Sequence, residues 1–130
     1  MDTKLIVLEP GQSVLEQLHL ALRHDDVAAA CVLSATGVLS RATFRSARAP
    51  AIEFQEPLEL VSLTGAVSAR SIRLSASAAD GAGAVYGGRL LEARAATPVT
   101  LALAVLEVAG ELEHVRDGDG HVRVAIQSCA

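Results

Sequence analysis

"SIRLSASAADGAGAVYGGRL", residues 71–90, decides the structural class of this chain. From Ser71 to Ala78, polar and apolar side chains alternate without interruption. Ser71, Arg73, Ser75 and Ser77 share one face, and Ile72, Leu74, Ala76 and Ala78 share the other. A period of two marks a strand with one face buried. "ADGAGA" (79–84) reads as a loop and "VYGGRLLEA" (85–93) as the return strand. Each strand carries an arginine, Arg73 and Arg89, the second directly after Gly87-Gly88. Two such strands are either a solvated surface or the frame of a site.

Working outward, the same strand-and-turn pattern recurs. "KLIVLEPGQ" (4–12) is a strand that stops at Pro10-Gly11. "VAAACVLSATGVLSRATFRS" (27–46) holds two strands broken at Gly37. Leu58 to Leu63 alternate, with Leu58, Leu60 and Ser62 on one face and Glu59, Val61 and Leu63 on the other. Pro57 suits a strand start and Gly65 a bend or bulge. "TPVTLALAVLEVAG" (97–110) is read as a long apolar strand, although Leu and Ala also favour helix. One segment differs. "SVLEQLHLALRHDD" (13–26) opens with Ser13-x-x-Glu16, a capping box, and repeats Leu15, Leu18 and Leu22 at helical spacing. The expected fold is therefore α+β, with one main N-terminal helix packed on a mainly antiparallel sheet.

In the tail, "HVR" stands on both sides of Asp117-Gly118-Asp119-Gly120, which signals a hairpin. A four-residue loop would set Val115 opposite Val122 and His114 opposite Arg123. A two-residue turn would instead set His114 opposite His121, where Asp117, Asp119 or a neighbouring subunit would have to complete any metal site. The first register is preferred because it pairs the valines.

Composition narrows the function. The 130 residues include 11 basic and 15 acidic side chains, a net charge of −4, and only 2% aromatic residues. DNA affinity comes largely from neutralising phosphates, so direct DNA binding is unlikely on charge. Single-strand platforms stack bases on aromatic rings, and this chain has one Tyr, two Phe and no Trp. Cys31 and Cys129 form no C-x-x-C pair; they are read as a buried small side chain and a terminal thiol. The first apolar stretch is too short for a signal peptide, and no run reaches membrane-spanning length. A cytoplasmic location with no membrane partner is expected. There is no G-x-S-x-G, no Walker loop and no nucleophile with a placed base, so the chain is more readily a non-enzymatic module than an enzyme.

Four segments, "VLEPGQSVLEQL" (7–18), "VLSATGVLSRATFRS" (32–46), "LELVSLTGAVS" (58–68) and "DG…VYGGRLL" (80–91), lie in an order and spacing that resembles the plants-and-prokaryotes-conserved (PPC) domain. The resemblance covers roughly residues 4–109, giving a PPC-like domain at 1–109 and a hairpin and tail at 110–130. It implies a compact α+β domain that assembles with itself as a homotrimer. In plant members the domain follows AT-hook motifs and serves DNA-binding regulators. No such basic arm exists here, so a DNA-binding role would be inherited by label. The segment "EPLELVSL" (56–63) falls where plant relatives contact protein partners.

The prokaryotic pattern also implies three histidines suited to a divalent metal. Their places are taken here by Ser71, Arg73 and Arg89. An arginine has no lone pair to offer a metal, so no metal site and no cofactor are expected. Two readings remain for Ser71, Arg73, Gly87, Gly88 and Arg89. In one, the arginines simply face solvent or pair with Glu59 or Glu92. Alternatively the former metal pocket grips a small carboxylate or phosphate, as a binding protein or an enzyme, with the glycines admitting it to the backbone.

Overall fold

The computed structural model describes residues 2–46 and 49–128. Eleven strands and one helix follow one another: β1 (Asp2–Leu8), α1 (Val14–His24), β2 (Ala30–Thr36), β3 (Val38–Arg45), β4 (Ile52–Phe54), β5 (Leu58–Thr64), β6 (Ala66–Val67), β7 (Leu74–Ala79), β8 (Val85–Ala95), β9 (Val99–Val105), β10 (Glu111–Arg116) and β11 (Val122–Gln127). All strand pairs are antiparallel. Segment 97–110 resolves to strand β9, which lies between β1 and β2 in a sheet of order β1-β9-β2-β6. The second sheet runs β4-β3-β5-β7-β8, and β3 also pairs with β8. Strands β3, β5, β7 and β8 thus close on themselves.

A ring of four strands has little interior, and the sequence supplies small side chains for it. Ala42, Ala76, Ala78, Ala93 and Ala95 are buried, with Leu39, Leu58 and Leu74 as the larger fillers. Closure also removes exposed strand edges. On the other side, Leu8, Leu101 and Leu103 of the first sheet pack with Val14, Leu18 and Leu22 of α1 in the same core. Each fully buried aliphatic side chain contributes roughly 1.5–3 kcal/mol.

The helix begins and ends where its ends can be satisfied. Ser13 Oγ accepts the Glu16 N–H at 3.2 Å. At the C-terminus Asp26 sits at φ 48°, the Asp26 N–H donates to Arg23 O, and the Val27 N–H donates to Leu22 O. That is the pair of bonds expected of a left-handed cap.

Three details depart from the sequence reading. The strand read from Ser71 begins at Leu74, and before it Ile72 makes only an isolated bridge to Val67. The alternation of Leu58–Leu63 is interrupted by a bulge between Leu60 and Ser62. Val61 and Ser62 both face outward, and Leu63 joins Leu58 and Leu60 inside, which strict alternation forbade. The hairpin takes neither anticipated register: Val115 faces Arg123, Arg116 faces Val122 and His114 faces Val124. Asp117 N–H donates to His121 O, and Gly120, at φ 82°, donates to Asp117 O. A three-residue turn with a left-handed glycine closes the loop one residue earlier than expected. Asp117 Oδ1 accepts the N–H groups of Asp119 and His121, fixing that closure.

The hairpin is docked on the domain through its base. Leu112 is buried, its N–H donates to Ala28 O, and its carbonyl accepts Ser68 Oγ. Cys31 is half-buried; Cys129 lies outside the described residues.

Candidate functional site

The outer face of the closed sheet carries the site. Register alone builds its central row: Thr64 of β5 faces Ser75 of β7, Ser75 faces Arg89 of β8, and Arg89 faces Arg45 of β3. Residues directly opposite on antiparallel strands present side chains about 5 Å apart on one face, and like charges so placed repel. Arg73 lies two residues before Ser75 on the same face of the chain, so it joins this row. The docked hairpin then brings Arg116 over it from β10. The four guanidiniums border an open cavity of about 610 Å³, with Ser46, Thr64 and Ser75 supplying hydroxyls.

A second lobe of about 320 Å³ adjoins the first and shares Arg73, Arg89, Arg116 and Val122 with it. Arg70, Ser71 and His114 belong to this second lobe.

The electrostatics are those of uncompensated positive charge. Burial, then Arg73, Arg45 and Arg116, pull the Arg89 pKa below its ordinary value. Among the described residues no carboxylate pairs with any of these four arginines. Glu92 stands 3.9 Å from Arg94 and Glu111 stands 3.6 Å from Arg70, neither in an ion pair with the cluster. The pairing of Arg73 or Arg89 with Glu59 or Glu92 anticipated above is therefore not formed. Nor are both fully solvated, since Arg73 and Arg89 are each half-buried.

Ser71 does not point a free hydroxyl at the cavity. Its Oγ accepts the His114 backbone N–H at 3.0 Å and also contacts His114 Nδ1. With one lone pair so used, the hydroxyl can donate to an unprotonated Nδ1. Burial is the main cause that lowers the His114 pKa, with Arg73 and Arg89 adding to it against a backbone hydrogen bond to Ala66. His114 is thus a neutral imidazole at the rim of a cationic cluster.

The glycines also have a packing role. A Cβ on Gly88, at φ 146°, would stand 2.8 Å from Arg45 O, and one on Gly87 would stand 2.5 Å from Ala76 O. They let β3 and β7 approach β8 closely and so bring the arginines together. Gly88 borders the arginine cavity, whereas Gly87 lines a separate cavity of about 110 Å³ among Phe44, Phe54 and Tyr86.

Sequence reading singled out Arg73, Arg89 and Gly88 but not Arg45 or Arg116, and it considered His114 only within the hairpin, not beside Ser71. Arg45 could have been found from "TFRS" in β3 had the β3–β8 register been known. Arg116 depends on where the hairpin docks, which no local pattern reports.

The divalent metal suggested by family resemblance does not fit these residues. Guanidiniums offer no lone pair, their charge opposes a cation, and His114 Nδ1 is engaged by Ser71. Asp117, Asp119 and His121 do bring three ligand atoms within 4.8 Å of one another, but in an exposed turn. Asp117 Oδ1 there is already bonded to two backbone N–H groups.

These features define a small α+β domain with a four-strand closed sheet and a cationic cavity on its outer face. The chain belongs to the Plants and Prokaryotes Conserved (PCC) domain family, whose model matches residues 1–107. A hypothetical protein from Salmonella enterica has the same fold at TM-score 0.89, with 23% identity over 99% of this chain and 95% of that one. A protein from Ralstonia eutropha with a provisional DNA-binding designation superposes at TM-score 0.81, with 22% identity over 95% and 90% of the two chains. Among curated proteins, the bifunctional protein GlmU of a Synechococcus strain is 36% identical over 84 residues, which is 64% of this chain and 14% of GlmU. The matching segment is thus a small part of that relative. Residues 108–127, beyond the family match, supply Arg116, His114 and His121.

Proposed function

We propose that the chain is a non-enzymatic, self-assembling domain whose arginine cavity binds a small anion, carboxylate or phosphate. One observation carries this reading: Arg45, Arg73, Arg89 and Arg116 border one cavity, and among the described residues no carboxylate pairs with any of them. Packing like charges together costs free energy that a bound counter-ion offsets. Guanidinium forks match the oxygens of carboxylate and phosphate groups, and the neighbouring hydroxyls can donate to them as well. Ser71 and Gly88 serve this site by placement, Ser71 through His114 and Gly88 through strand packing.

Self-assembly, as a homotrimer by the family's resemblance, is supported by a separate surface. Leu5 and Val7 of β1 and Leu33 of β2 are 73%, 58% and 54% exposed on the outer side of the first sheet. A DNA-binding role rests on the designations of relatives, and the net charge of −4 opposes it. Among the described residues no helix is long and apolar enough to cross a membrane.

A thermal-shift screen of phosphates, sulfate and carboxylates tests the anion reading. Wild type should gain stability from at least one anion, and the Arg73→Ala/Arg89→Ala variant should gain none. Equal shifts in both proteins, or none in either, contradict it. Light scattering at micromolar concentration tests assembly; a clean monomer rejects the trimer.

A further inference from the structure

We infer that the anion is a small molecule carrying two linked phosphoryl groups, held by both lobes of the cavity at once. This deepens the anion-site reading and rests on it. Three observations select the class. First, the charge to be neutralised is large. Four guanidiniums without a carboxylate partner among the described residues border the site, whereas one phosphoryl group brings only about 1.5–2 negative charges. Two linked groups bring roughly three to four.

Second, the cations are arranged along a divide. Arg73, Arg89 and Arg116 border both the 610 Å³ and the 320 Å³ lobes, while Arg45 borders only the first. A single compact anion on this divide leaves one lobe's share of the charge unmet, whereas a linked pair places one group in each. The hydroxyls of Thr64 and Ser75 in the first lobe supply donors beyond the guanidinium forks. A terminal phosphoryl group, with three oxygens, uses more of these than a carboxylate with two.

Third, the aromatic side chains lie elsewhere. Phe44, Phe54 and Tyr86 line their own small cavity, so the arginine cavity offers no Phe, Tyr or Trp ring as a stacking platform; the rings at its edge are the imidazoles of His121 and His114. Recognition here is of the phosphoryl groups. The hairpin is a specificity element in this account, because it alone brings Arg116 to the divide.

Calorimetric titration of the full chain with inorganic pyrophosphate, orthophosphate and citrate, at matched ionic strength, tests the inference. Pyrophosphate should bind at least about tenfold more tightly than orthophosphate, an affinity ratio worth about 1.4 kcal/mol. Arg116→Gln should lower that preference to within about threefold, and Arg116→Lys should restore part of it. Circular dichroism confirms that each variant is folded. Equal affinity for pyrophosphate and orthophosphate overturns the two-group inference while leaving the anion site standing. Citrate binding more tightly than pyrophosphate overturns the phosphoryl assignment. A short DNA duplex displacing pyrophosphate at physiological salt overturns it in favour of nucleic acid. Absence of any heat with all three anions removes the anion site itself.

Discussion

Two groups of basic side chains on this protein solve opposite problems. Lys4 stands beside Asp25, Arg41 beside Glu53, Arg70 beside Glu111 and Arg94 beside Glu92. Arg45, Arg73, Arg89 and Arg116 stand beside one another. The first group is the ordinary surface arrangement, in which each cation has a partner and contributes little to stability. The second is placed by the backbone. Strand register sets Arg89 opposite Arg45, close packing at Gly88 draws the strands together, and the hairpin adds Arg116. An acidic protein with carboxylates to spare leaves these four without one. Stability alone does not explain such an arrangement; the proposed anion site does.

The contrast can be broken from the scaffold side first. Leu74 is fully buried on the inner face of the strand that follows Arg73. Leu74→Ala should cost about 2–5 kcal/mol in denaturant unfolding, from lost burial and the cavity left behind. Gly88→Ala should cost about 1–3 kcal/mol, because the added Cβ meets Arg45 O in a backbone conformation that disfavours side chains. It should also weaken anion binding, since it forces β3 away from β8. Retained affinity in a destabilised Gly88→Ala protein would show that strand spacing does not set the cluster.

The two arginine groups should then part company. Arg94→Gln removes a half-exposed ion pair and a hydrogen bond to Gly11 O. It should cost about 0.2–1 kcal/mol. Arg89→Gln, in anion-poor buffer, should cost nothing or raise the melting temperature, because it relieves repulsion. A loss at Arg89 as large as that at Arg94 would make the cluster an ordinary structural feature.

A finer probe is His114. Its pKa is lowered in the folded protein, so the unfolded chain binds the proton more readily. Stability contributed by the neutral ring is present above the ordinary histidine pKa of about 6.5. It is lost as pH falls from there towards the folded value. Wild type should therefore lose more stability than His114→Gln when acidified from neutral to about pH 5. Parallel pH curves for the two proteins would contradict this.

How much of this was legible in the sequence follows from the range of each interaction. The helix was written locally, in Ser13, Glu16 and the Leu18/Leu22 spacing, and it forms where these residues place it. The alternation read from Ser71 to Ala78 put Leu74, Ala76 and Ala78 on the inner face, as found, but the strand itself begins only at Leu74, and Ser71–Arg73 precede it. The bulge at Val61 was not legible, because an extra residue is tolerated only where a particular partner strand lies alongside. The hairpin register was off by one because Asp117 caps its own turn and closes it early. The cluster itself was half visible. Arg73 and Arg89 flank one local loop, whereas Arg45 and Arg116 arrive through pairings between segments far apart in the chain.

The central claim is that the clustered arginines trade stability for binding, and one paired measurement tests it most directly. Thermal unfolding of wild type and Arg73→Ala/Arg89→Ala is followed in anion-poor buffer and again in millimolar pyrophosphate. A ligand at about a hundred times its dissociation constant adds roughly 2.7 kcal/mol to the protein that binds it. The account predicts a reversal of order: the double variant at least as stable without the anion, and wild type clearly the more stable with it. Wild type more stable by the same margin in both buffers would contradict the account and make these arginines part of the scaffold.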